Sequence, residues 1–284
     1  MENSKRSTYI TAAISLVVIL VAVYFLFIFQ KSPQKPKPTN SPDNIISADQ
    51  LDISKKPFVA LTPVSNGAEI IITIKNMSEF DRIEYELTYQ ADNPQSPGQK
   101  IERGATGTDV NPKDPEYKKS ILLGTATKGV RSPDKGITEG KLTLHMFKGE
   151  AEYRSETPWD IFQAGSTKGE IKDRSEKVAW SLPSLGQDYW IVTADTVGVP
   201  QGSNGFSIKD VALPVYGAFS IAPDFKKPAQ VTIAVSSDSQ NPTLYSYNNK
   251  DQSWQKLDAK FDSSQKTLTA NVTNFSSLVV VAPK

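Results

Sequence analysis

The chain has 284 residues, 32 Lys plus Arg against 31 Asp plus Glu, one His, no Cys and 38% hydrophobic residues. Without cysteine there is no disulfide framework, thiol nucleophile, Cys-ligated metal or lipobox, and the solitary His145 excludes multi-His metal centres. A net charge of +1 lacks the electrostatic footprint of a nucleic-acid binder, so no nucleic-acid partner is expected.

Residues 9–29, YITAAISLVVILVAVYFLFIF, carry no charge, and at about 1.5 Å per residue a helix of this length spans a hydrocarbon core of about 30 Å. A cleavable signal peptide would have a shorter apolar region ending in small residues, whereas this run ends in Tyr24, Phe25, Leu26, Phe27, Ile28 and Phe29. An uncleaved signal anchor is therefore expected, with the lipid bilayer as partner. Lys5 and Arg6 on one side nearly tie with Lys31, Lys35 and Lys37 on the other. Long domains translocate largely regardless of charge, so residues 1–8 are expected in the cytoplasm and the bulk of the chain outside it. Residues 30–56, rich in Pro, Lys, Ser and Asn, are expected to form a semi-extended stalk.

From residue 57 onward strand signals dominate. Runs at 58–61 and 68–75 flank the turn signal Asn66-Gly67. Ile83, Tyr85, Leu87 and Tyr89 alternate with Glu84, Glu86 and Thr88, the period of a strand with one buried and one wet face. Further strands are expected at 119–123, 141–147 and 159–162. The polar segment 164–177 is expected to be a linker. From residue 178 onward all charge is carried by Lys and Asp, eight of each, which marks a second domain. Strands are expected there at 178–182, 189–193, 206–208, 215–221, 230–235, 243–247, 254–257, 267–272 and 277–282. The expected fold is mainly β: a transmembrane helix and stalk followed by two β-sandwich-like domains, 57–163 and 178–284.

The residues Pro223, Phe225, Pro228, Leu244, Tyr247, Trp254, Leu257, Phe275 and Ser276 form a strand entry, a hairpin and a closing strand. This pattern resembles the ZU5-like β domain of bacterial cell-surface proteins. The resemblance implies a β module with a structural or interaction role, and it implies no activity. Through IEYELTYQ (83–90), ILLGTATKGV (121–130) and WDIF (159–162), residues 57–163 resemble, over fewer positions, an uncharacterised β domain of membrane-anchored bacterial proteins.

Chemistry-bearing motifs are sparse. His145 sits in KLTLHMF on the face opposite Leu142, Leu144 and Met146, the place of a surface or satisfied polar residue, and no G-x-S-x-G elbow accompanies it. Four S-x-x-K matches, Ser32/Lys35, Ser132/Lys135, Ser253/Lys256 and Ser263/Lys266, lack the companion S-D-N and K-T-G motifs. Glu84 and Glu86 share one strand face but show no separation across a cleft, as glycoside hydrolysis would need. EF-hand, P-loop and dinucleotide fingerprints are missing, and no metal or cofactor is expected. Among the aromatics, Trp254 and Tyr247 fall on core positions of the pattern. Trp159, Trp180 and Trp190 are the candidates for exposed stacking platforms.

The expected function is a membrane-anchored, extracytoplasmic, non-catalytic module that presents a binding face to a cell-wall polymer, glycan or protein partner. Two alternatives stand beside it: an accessory or hydrolytic enzyme using loop carboxylates, and a scaffold subunit of a membrane assembly.

Overall fold

The computed structural model of the protein describes residues 45–64, 66–182, 185–202, 205–212, 214–236 and 241–282. The expected anchor at 9–29 and the stalk as far as residue 44 lie outside the described residues. Among the described residues no helix is long and apolar enough to cross a membrane. Residues 45–284 form one compact unit.

That unit is mainly β. Its first half contains β1 (Ile45–Ser47), β2 (Phe58–Pro63), β3 (Glu69–Lys75), β4 (Arg82–Asp92), β5 (Lys100–Val110), β6 (Glu116–Leu122), β7 (Gly124–Thr127), β8 (Val130–Pro133), β9 (Thr138–Lys148) and β10 (Ala151–Gln163). The second half contains β11 (Glu170–Lys172), β12 (Val178–Ser181), β13 (Trp190–Thr196), β14 (Val215–Phe219), β15 (Ala229–Ala234), β16 (Thr243–Asn248), β17 (Ser253–Lys256), β18 (Lys260–Asp262), β19 (Thr267–Val272) and β20 (Ser277–Val281).

One large sheet runs through both halves in the order β17-β16-β20-β14-β13-β10-β9-β4-β5, with β1 added beside β10. The link is the antiparallel pairing of β10 with β13, from Trp159↔Ala194 to Gln163↔Trp190. Two smaller sheets, β2-β3-β6 and β11-β12-β15-β19-β18, supply the covering layers, and β7-β8 is a separate hairpin.

Strand alternation places these layers on opposite faces of the large sheet. Val192 and Ala194 of β13 pack with Ile70, Ile72 and Ile74 of β3 and with Tyr85, Leu87, Leu142 and Leu144. Ile191 of the same strand packs with Trp180, Val231, Ile233 and Leu268 of the five-stranded sheet. β13 is thus covered on both sides, which is why burial runs unbroken from Ile191 to Ala194 instead of alternating. A third cluster, Tyr245, Tyr247, Trp254, Val279 and Val281, closes the far end of the large sheet.

Several elements differ from the sequence reading. Residues 45–56, expected as the end of the stalk, belong to the folded unit. β1 lies parallel to β10, and two 3₁₀ turns, Ala48–Gln50 and Ile53–Lys55, follow with Ser47 and Asp52 as side-chain caps. Residues 206–208, expected as a strand, form a bend entering the 3₁₀ turn Ile208–Asp210. There Phe206 anchors a loop by packing on Tyr245 and Trp254, with ring centroids 4.7 and 5.7 Å apart. The expected linker 164–177 is ordered and contains β11, and the Asp173 carboxylate accepts the Val178 amide at 2.6 Å. β5 had no apolar signal because it is an edge strand, and a side chain at its Gly107 would collide with the Tyr85 ring.

Candidate functional site

The turn between β2 and β3 is built by Asn66 and Gly67. The Asn66 side chain accepts the Ala68 amide at 3.0 Å, the Gly67 amide donates to Val64, and Gly67 adopts φ +66°, a conformation that suits glycine. This turn faces the first residue of β13, Trp190, whose indole lies directly on Gly67. A Cβ at that position would collide with the benzo ring. The Trp190 carbonyl accepts the Ser220 hydroxyl at 2.6 Å, which ties the start of β13 to the end of β14.

The opposite wall is the 133–137 connection between β8 and β9, and it is clamped at two points. The Asp134 carboxylate, with a side chain 8% exposed, accepts the Tyr89 hydroxyl at 2.9 Å and faces Arg103 Nε at 3.7 Å. Burial first, and then the bond to Asp134, push the Tyr89 hydroxyl well above the usual phenol range, so it stays a donor. Two residues on, Gly136 packs against the Asp92 carboxylate, and Lys100 bridges the Asp92 carboxylate (2.9 Å) and the Gly136 carbonyl (2.6 Å).

Between these walls lies a cleft of about 430 Å³. Its apolar surface comes from Trp190, Ile137, Ile161 and Phe162, and its polar groups come from Asn66, Lys135, Gln163 and Ser166. Trp190 is half-buried. An aromatic plane with amide, hydroxyl and ammonium groups around it is suited to hold a ligand by stacking and hydrogen bonds.

The other two tryptophan candidates are corrected by the structure, since Trp159 and Trp180 are each 1% exposed. Trp159 shares the core-facing side of β10 with Ile161, packs over Gly140 and meets the edge of Tyr89 at 6.0 Å. Trp180 is in the core between the large sheet and the five-stranded sheet. Neither is a surface platform. Trp254 and Tyr247 are core residues, each 7% exposed.

His145 Nδ1 lies 2.8 Å from the Glu152 carboxylate on the polar face of β9 and β10. Glu84 pairs with Arg82, whose guanidinium stacks over Phe147 at 3.7 Å, so Glu84 and Glu86 do not act as two carboxylates facing across a cleft. No hydrogen bond joins Ser and Lys of the Ser132/Lys135, Ser253/Lys256 or Ser263/Lys266 pairs, and Ser32/Lys35 lies outside the described residues. Among the described residues no group of three or more His, Cys, Asp or Glu is placed to hold a metal ion.

Trp190 and the Asn66-Gly67 turn are legible in the sequence separately and Lys135 only as half of an S-x-x-K match, whereas Gln163 and Ser166 carry no sequence signal. The cleft joins the 66–68, 133–137, 161–166 and 190 segments, and polar loop residues give no local sign of such convergence. Compared with protein-family models and with curated proteins, the chain gives no match to either.

Proposed function

We propose that the chain is a membrane-anchored, extracytoplasmic, non-catalytic binding module, and that the Trp190 cleft is where it holds a glycan of the cell-wall polymer class. The observation that carries this reading is the half-buried indole of Trp190, backed on one side by Gly67 and bordering a cleft whose polar lining includes Asn66, Gln163, Ser166 and Lys135. Stacking of a pyranose on an aromatic face needs such a fixed plane, and backbone on its rear side supplies one.

The anchor reading rests on residues 9–29 and their bulky end. In the finer architecture, two sandwich-like modules, 57–163 and ZU5-like 178–284, share the large sheet and take their covering layers on opposite faces. Assembly through a sheet edge is less favoured, because the outer strand β5 carries Lys100, Glu102 and Arg103 with two glycines, a composition that discourages edge pairing.

The test is calorimetric titration of the full-length protein in nanodiscs with tetrasaccharides of N-acetylglucosamine and of glucose. Saturable binding of at least one, lost in Trp190→Ala with the fold retained, supports the reading. Absence of binding to both, or binding unchanged in Trp190→Ala, overturns it.

A further inference from the structure

A second cleft arises where the large sheet parts. β13 pairs with β10 only as far as Trp159↔Ala194, and the next residue of β10, Pro158, has no amide proton for the ladder. On the same edge of β10, β1 pairs only from Ile45↔Glu152 to Ser47↔Arg154. Residues 155–158 therefore have no strand partner on this edge. A cleft of about 320 Å³ opens there, with Lys56, Ser155, Thr157 and Thr196 among its lining residues.

The donors in this cleft are not saturated. The Lys56 side chain is 3% exposed, yet its ion-pair partner is Asp49, at 3.7 Å and itself 90% exposed. That separation is long for a hydrogen bond, and among the described residues the three donors of the Lys56 ammonium have no other partner. Burial lowers the proton affinity of Lys56, and the Asp49 carboxylate opposes this. Thr157 is 3% exposed and Ser155 half-buried, and neither hydroxyl forms a hydrogen bond with a described residue. Thr196 differs, because its hydroxyl donates to the Gly198 carbonyl at 2.7 Å.

A buried cation beside two unused hydroxyls selects an anionic acceptor. Asp49, Glu156 and Asp195 also line the cleft and make a dianion such as phosphate unfavourable. They favour a ligand that carries a positive group beside a single carboxylate. The geometry points to a binding site for a small zwitterion of the free α-amino acid class, its carboxylate on Lys56, Ser155 and Thr157 and its ammonium towards the acidic residues. This site is separate from the Trp190 cleft and does not depend on the glycan reading.

The experiment is calorimetric titration of the full-length protein in nanodiscs with alanine, alaninamide and N-acetylalanine. Alanine is expected to saturate, N-acetylalanine to bind more weakly, and alaninamide to bind at least about tenfold more weakly. Lys56→Met is expected to abolish alanine binding. Thr157→Val leaves the buried charge in place and is expected to weaken binding about tenfold, which keeps the test decisive where Lys56→Met fails to fold. The assignment is overturned by an absence of saturable alanine binding, by alaninamide or N-acetylalanine binding as tightly as alanine, or by alanine binding that survives in a folded Lys56→Met or is unchanged in Thr157→Val.

Discussion

The indole of Trp190 rests on the backbone of Gly67, with no room between them for even a methyl group. Gly67 serves two ends at once, since the β2–β3 turn needs its φ of +66° and the stacking plane needs its missing side chain. Gly67→Ala therefore meets both a disfavoured backbone region and a collision. A loss of about 1–3 kcal/mol in unfolding free energy is expected, with displacement of the indole. Denaturant titration and the fluorescence of the half-buried Trp190 would show it.

Burial separates the tryptophans by consequence. Trp159→Ala removes a side chain from the core and is expected to cost about 3–5 kcal/mol. Trp190→Ala empties part of a cleft already open to water and is expected to cost less than half as much. Chemical denaturation of the two variants side by side checks the ranking.

The 133–137 wall depends on the Tyr89 hydroxyl, which donates to the buried Asp134 carboxylate. Tyr89→Phe leaves that carboxylate with the more distant Arg103 and is expected to destabilise the protein by about 1–3 kcal/mol. Faster hydrogen exchange in the 133–137 segment should accompany the loss. Unchanged exchange there would show that the loop is held by other contacts.

Asp195 supplies a pH dependence. Burial, and then the neighbouring Asp173 carboxylate, raise its pKa from 3.8 to about 6, with Lys177 opposing the shift. The folded state thus binds a proton more tightly than the unfolded chain. The stability from this group is fully present below about pH 4 and is lost as pH rises through about 6. Asp195→Asn should be more stable than the unaltered protein at pH 7–8, by about 1–3 kcal/mol, and the gain should shrink towards pH 4. Thermal unfolding of both proteins across that range measures the difference.

The sequence showed the fold class where one periodicity governed a strand. In β4, Ile83, Tyr85, Leu87 and Tyr89 are buried, while Glu84, Glu86 and Thr88 between them are half-buried or exposed. Of the positions carrying the ZU5-like pattern, Leu244, Tyr247, Trp254, Phe275 and Ser276 are buried, as core positions of any β domain would be. Legibility failed where tertiary contacts decide. The polar segment before residue 57 has no apolar period, yet Ala48 and Lys56 are buried because β1 pairs with β10, the first capped 3₁₀ turn packs on β10 and the second on the 3₁₀ turn Ile208–Asp210. Trp159 and Trp180 looked like Trp190 in sequence, since strand runs of four or five residues do not tell which face another sheet will cover. The cleft was hidden for a related reason: its walls come from turns far apart in the chain, and only the packing of the small sheet on the large one brings them together.

In the proposed function, ligand is held on the indole of Trp190. Proton–nitrogen spectra of the full-length protein in nanodiscs, labelled at the indole nitrogens of its four tryptophans, test it most directly. On titration with the tetrasaccharide that binds, a saturable shift of the Trp190 indole signal is expected, with Trp159 and Trp180 essentially still. A saturable shift confined to the other indoles, or binding by calorimetry with the Trp190 signal unmoved, would contradict it.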